Sequence, residues 1–254
     1  MDSKQRFSDR VDAYVKYRPD YTKAALDYLY TEVGLDSVEK IADIGAGTGI
    51  FSRLLLERES QVIAVEPNDE MRSVAEAQLS QSPAFRAVAA PAEQTTLPDS
   101  SIDAIVCAQS FHWFDAQAAY TEFKRILKPG GIVILIWNNR LTSGTPFLEA
   151  YEQLLLTYGT DYSQVNHRNT TQVDSNALQS FFGERQMTKA TFPNQQLFDF
   201  EGLSGRLNSS SYVPAPDHPN YAPMMEELRR IFDRTEQNGQ ILFDYVTEVY
   251  FGTL

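Results

Sequence analysis

The chain has 254 residues, 43% of them hydrophobic, and a formal net charge of −12. That is enough apolar material for the core of one elaborated α/β domain, and it excludes a disordered chain. The acidic balance disfavours a polyanionic partner, and a single cysteine, Cys107, excludes a disulfide framework.

From the N-terminus, Phe7, Val11, Tyr14 and Val15 recur at roughly helical spacing up to Tyr17, where Arg18-Pro19 interrupts the pattern. A second amphipathic helix is predicted over Ala24–Val33, with Gly34 at its end. The start of the chain has no apolar signal core, and the longest apolar run, Ile132–Trp137, is far too short to cross a bilayer. A cytoplasmic chain with no membrane span is expected, and no metal-spaced Cys/His cluster is present.

The stretch from Ile41 to Ser52 reads Ile-Ala-Asp-Ile-Gly-Ala-Gly-Thr-Gly-Ile-Phe-Ser. It predicts a buried strand, a tight turn on Gly45, Gly47 and Gly49, and a helix start. Glycine lets another molecule lie against the backbone. Some twenty residues on, Val62-Ile-Ala-Val-Glu66 ends a second apolar run in an acid, the place where a nucleoside-binding α/β protein sets a carboxylate on ribose hydroxyls. A dinucleotide fingerprint needs Gly-x-Gly-x-x-Gly, but its third glycine position is Ile50. An NAD-dependent oxidoreductase is therefore the weaker reading.

The Asp43-x-Gly45-x-Gly47-x-Gly49 spelling instead resembles the first motif of class I S-adenosylmethionine-dependent methyltransferases. The turn Arg125-Ile-Leu-Lys-Pro-Gly-Gly131 resembles the Leu-x-Pro-Gly-Gly turn of the methyltransferase type 11 group. Tyr14-x-x-Tyr17-Arg18-Pro19-x-Tyr21 resembles the N-terminal lid of trans-aconitate methyltransferase-like members. The resemblance implies a Rossmann-like, doubly wound, mostly parallel seven-stranded sheet with an antiparallel last strand and a helical substrate cap. On that basis residues 1–254 form one domain. Within it, 1–35 is a helical lid, 36–138 the cofactor-binding core, 139–185 and 202–235 cap elements, and 186–192 and 241–251 the final strands.

Between these motifs, helices are predicted from Pro67 to Leu79 and from Asp115 to Leu127. Strands are predicted at Phe85–Ala89, Ile102–Gln109 and Ile132–Trp137. Further helices are expected at Phe147–Tyr158, Ala177–Phe182 and Tyr221–Thr235, and strands at Gln186–Phe192 and Ile241–Tyr250.

The resemblance implies S-adenosyl-L-methionine as cofactor and a small-molecule acceptor, with no nucleic-acid partner. It places Asp43 on the methionine ammonium side, Gly45, Ala46 and Gly47 at the backbone approach, and Glu66 on the ribose hydroxyls. Pro67 and Met71 follow at the nucleoside edge, Ala92 and Glu93 flank the adenine, and Gln109 and Ser110 sit near the methionine moiety. Tyr17 and Arg18 join from the lid. His112 is the candidate general base, since histidine titrates near neutrality. A carboxylate acceptor would need no base, and Arg18, Arg140, Arg168 and Arg206 are candidates to clamp such an acid. The other reading is a nucleoside-binding protein of the same fold without turnover.

Overall fold

The computed structural model describes residues 17–35, 40–162, 175–183 and 187–254. The predicted first helix, apart from Tyr17, lies outside those residues, as does Arg168. In chain order the elements are α1 (Lys23–Thr31), β1 (Lys40–Ile44), α2 (Ile50–Leu56), β2 (Gln61–Val65), α3 (Asp69–Leu79), β3 (Phe85–Val88) and β4 (Ile102–Ala108). There follow a 3-10 turn (Phe111–Trp113), α4 (Ala116–Ile126), β5 (Leu127–Arg140), α5 (Pro146–Tyr158), α6 (Ser175–Phe182), β6 (Thr188–Phe198), α7 (Phe200–Asn208), α8 (Tyr221–Thr235) and β7 (Ile241–Thr253).

The seven strands form one sheet in the order β3-β2-β1-β4-β5-β7-β6. β1 to β5 pair in parallel, and β7 runs antiparallel to both β5 and β6. This is the doubly wound, mostly parallel sheet expected. Alternate residues of the central strands feed two apolar layers, as period-two side-chain geometry requires. Ala42, Ile44, Ile105, Cys107, Leu135 and Trp137 face α4 and α6, whereas Ile41, Ala104, Val106, Ile134 and Ile136 face α1 and α2. A third cluster joins Leu148, Tyr151 and Leu155 of α5 to Leu203 of α7, Leu228 of α8 and Phe243 of β7.

Local chemistry sets the helix starts. Asn68, Asp115, Thr145 and Asp199 each accept a backbone N–H three residues on, from Met71, Ala118, Leu148 and Gly202. Such caps satisfy donors that the helix itself leaves orphaned.

Three boundaries differ from the sequence reading. β6 runs Thr188–Phe198 and does not stop at Phe192, because an edge strand tolerates Pro193, which sits opposite Val246. β5 continues past Trp137 to Arg140, so Asn139 and Arg140 are strand residues paired with Val246 and Tyr245, not the start of a cap. β7 extends to Thr253, opposite Ile132. Between Leu127 and Ile132, the Lys-Pro-Gly-Gly turn shifts the β4–β5 register, with Gly130 at φ +80°.

Candidate active site

The carboxyl ends of β1, β2, β4 and β5 border a single deep cleft, the place where open α/β sheets bind ligands. Its glycine loop is held from behind. The N–H groups of Gly45 and Ala46 donate to the Val65 carbonyl at 2.8 and 3.2 Å, and the Gly47 N–H donates to Glu66 Oε2 at 2.8 Å. Glu66 Oε1 accepts the Asn68 N–H at 2.8 Å. Burial raises the Glu66 carboxyl pKa, and these two N–H bonds work against that rise.

The three loop glycines do different jobs. A Cβ on Gly45 would sit 2.5 Å from Ser110 Cβ, and one on Gly49 would sit 2.8 Å from Leu79 Cδ1. Those two are needed for packing. A Cβ on Gly47 would meet only Met71 Sδ, at 3.9 Å, and would project into the cleft. Gly45→Ala is therefore expected to lower the thermal midpoint sharply. Gly47→Ala is expected to cost only about 1 kcal/mol, for its φ of +58°, yet to block ligand approach to the loop. Melting curves with and without S-adenosylhomocysteine check this. A Gly47→Ala protein that binds normally would show that ligand does not touch the loop.

Gly45, Ala46, Gly47, Glu66, Pro67 and Met71 all line the cleft. So do Ala92, Glu93, Gln109, Ser110, His112 and Arg18. Gln109, just beyond β4, has a positive φ of 59°, and its Nε2 donates to the Asn138 carbonyl. Ser110 Oγ donates to the Ile44 carbonyl at 2.6 Å, which ties the end of β4 to β1. Glu93 accepts the Asp115 N–H at 2.9 Å.

Two expected residues do not reach the wall. Asp43 is fully buried beneath the loop, where Ser52 Oγ donates to its Oδ2 at 2.6 Å and its Oδ1 has no hydrogen-bond partner. Burial pushes its pKa up to about 7, the Ser52 bond opposing and the Glu66 charge adding to the rise. Tyr17 packs instead against α7, whose Gly205 leaves no room for a Cβ beside the Tyr17 ring. Its carbonyl accepts from Gln196 Nε2.

His112 accepts the Trp137 indole N–H at its Nδ1, at 3.4 Å. An indole can only donate, so the neutral imidazole carries its proton on Nε2. Burial, with the Arg18 charge adding, lowers the His112 pKa to about 4, so the ring is neutral at physiological pH. It presents an N–H on that nitrogen, not a lone pair.

The far half of the cleft is made of residues remote in sequence. Arg140 pairs with Glu152 and donates to Tyr162 Oη at 2.7 Å. Arg206, Tyr212, Asn138 and Asn139 complete that wall with Thr142. The strap from Arg18 to Tyr21 crosses the opening. Arg18 donates to the Ser209 carbonyl, Asn194 to the Asp20 carbonyl, and the Tyr21 ring meets Phe51 edge-on at 4.9 Å. Sequence reasoning singled out Arg140 and Arg206 and set Tyr21 in the lid motif, but missed Phe51, Tyr162 and Tyr212 as cleft residues. No group of metal-ligating side chains occurs among the described residues, and no helix there is long and apolar enough to cross a membrane.

Comparison with known proteins agrees with this geometry. The family described as "Methyltransferase domain" matches residues 42–135. An uncharacterized methyltransferase of Mycobacterium tuberculosis is 40% identical over 134 residues, 53% of this chain, so the match spans only about half (52%) of that relative's length. An uncharacterized methyltransferase-like protein of Schizosaccharomyces pombe is 28% identical over 96% of this chain and 93% of its own. A candidate type II methyltransferase from Anaeromyxobacter dehalogenans superposes with a TM-score of 0.69 at 22% identity, over 93% of this chain and 97% of that one, which shows the shared fold. The glycine loop, the acid after β2 and the antiparallel seventh strand are all in place, residues 42–135 match the methyltransferase domain, and the chain is similar along nearly its whole length to a methyltransferase-like relative.

Proposed function

We propose that this protein methylates a small-molecule acceptor, at a carboxylate or hydroxyl oxygen, with S-adenosyl-L-methionine as the methyl donor. The observation that carries this is one continuous cleft with two unlike halves. The glycine loop and Glu66 form one, and a wall of arginine, tyrosine, histidine and asparagine side chains forms the other. The residues present fit the cofactor. Gly47 leaves open space over the loop, Glu66 is fixed by two backbone N–H groups, and Asp43 keeps one buried oxygen unpartnered.

When bound, the cofactor supplies an electrophilic methyl on a sulfonium. The chain's part is to align the acceptor, exclude water and orient the reacting oxygen. We assign Glu66 to the ribose hydroxyls, Asp43 to the ammonium through the loop, and Arg18 to the cofactor carboxylate. Ala92 and Glu93 border the adenine. Tyr17 acts at one remove, by seating the Arg18 strap on α7. His112 is better read as a donor that orients the acceptor than as a base, given its Nε2 proton. A carboxylate, ionised at neutral pH, requires no base. The chain is read as one domain in which α5, α7 and α8 cover the acceptor side.

Calorimetry with S-adenosylmethionine, S-adenosylhomocysteine and NAD, followed by turnover against small acids and phenols, tests the proposal. Binding of NAD alone would overturn it. Cofactor binding without turnover of any acceptor would favour a non-catalytic nucleoside-binding role.

A further inference from the structure

The chain is acidic, with a net charge of −12, yet arginine side chains line its cleft. Three arginines line the cleft: Arg18, Arg140 and Arg206. The charge of Arg140 is met by Glu152. Arg18 lies on the strap at the cofactor side and is held by the Ser209 carbonyl.

Arg206 differs from both. It is 5% exposed, on α7. Its Nε donates to Tyr245 Oη at 3.0 Å, and its Nη1 donates to Ser210 Oγ at 3.0 Å and Ser209 Oγ at 3.5 Å. The guanidinium also lies 5.7 Å from the centre of the Phe243 ring. Every one of these partners is neutral. Among the described residues no carboxylate pairs with Arg206, and its Nη2 has no hydrogen-bond partner. A guanidinium stays charged in a protein, and a buried charge without a counterion is costly. A carboxylate arriving through the cleft would supply both the countercharge and a planar acceptor for the remaining N–H groups.

We infer that Arg206 seats a carboxylate of the methyl acceptor, and that this carboxylate is an anchor rather than the methylated group, so the acceptor is a small organic acid with a second reactive function. The inference rests on the methyl-transfer reading of the same cleft. The distinction between anchor and nucleophile is chemical. An oxygen whose lone pairs are engaged by a guanidinium is a poor attacking group, whereas a second oxygen held elsewhere in the cleft keeps its lone pairs.

The test is calorimetry on the full chain, first with S-adenosylhomocysteine and then with glutarate added to that complex. Glutaramide, its neutral counterpart, is the control. Saturable glutarate binding is expected, weakened at least about tenfold for glutaramide and for Arg206→Met, and partly restored in Arg206→Lys. An arginine serving only the packing of α7 on β7 would leave that selectivity unchanged when replaced. Should Arg206→Met fail to fold, the acid-to-amide comparison on the unaltered protein decides, with loss of glutarate affinity as salt rises. Equal binding of acid and diamide, or no saturable heat from succinate, glutarate or tricarballylate, overturns the inference. Failure of S-adenosylhomocysteine to bind would sink the methyl-transfer reading instead, and is seen in the first titration.

Discussion

Glu66→Ala is expected to weaken S-adenosylhomocysteine binding about 100-fold, and to lower stability in the absence of ligand as well. Each buried group left unpaired costs about 1–3 kcal/mol. In this protein one carboxylate serves two N–H donors of the chain, at Gly47 and Asn68, besides the hydroxyls assigned to it on the ligand. Removing it would loosen the glycine loop and strip the ribose contact together. Glu66→Gln separates the two effects. It keeps the volume and one acceptor oxygen, but its amide must face either the Gly47 or the Asn68 N–H. Its loss should therefore be intermediate. Calorimetry and melting curves on the three proteins check this, and unchanged affinity in Glu66→Ala would remove Glu66 from the ribose role.

Asp43→Asn should change how stability depends on pH. Burial holds the Asp43 carboxyl at about 7 in the folded chain, against an ordinary value of 3.8. A folded pKa above the unfolded one means that the native state holds the proton more tightly. The stability this confers is complete below about pH 4 and is lost as pH rises through 7. Three pKa units correspond to about 4 kcal/mol. The asparagine variant lacks this loss, so its stability relative to the parent should climb between pH 4 and 7 and then level off. Denaturant titrations across that range measure the slope, and identical slopes in the two proteins would show Asp43 ionised throughout. If the ammonium of the cofactor pairs with Asp43, ligand binding near pH 6 should also release a proton in the parent and not in the variant.

Both of these residues stood out in the sequence because their signals are local. A strand ending in a glycine turn, and an acid at the end of the next strand, can be read without knowing the fold. The same holds for Asp115 capping α4 and for the apolar stripe of α8, whose limits at Tyr221 and Thr235 match the sequence reading. What could not be read there depends on contacts far apart along the chain. Tyr17 leaves the cleft because Gly205, nearly two hundred positions on, offers a bare surface for its ring. Asp43 turns beneath the loop toward Ser52. The acceptor wall joins Arg140, Tyr162, Arg206 and Tyr212 from four separate segments. The protonated nitrogen of His112 is set by a single indole N–H from Trp137 on a neighbouring strand. Pro193 hid the second half of β6, since a proline tolerated at a sheet edge looks in sequence like a stop.

The order of the strands has a consequence for how the molecule is made. Within the sheet β6 pairs with β7 and no other described strand, and β7 is the later of the two to leave the ribosome. Strands β1 to β5 can pair while synthesis continues, so the glycine loop and Glu66 can assemble early. β6 must wait, an unpaired strand with Leu197 exposed, until Ile241–Thr253 arrives to slide between it and β5. Tyr245 of that arriving strand is the partner of Arg206 Nε. The acceptor wall is thus the last part of the cleft to be completed. The interval before β7 docks is when the nascent chain is most open to pairing with another copy of itself.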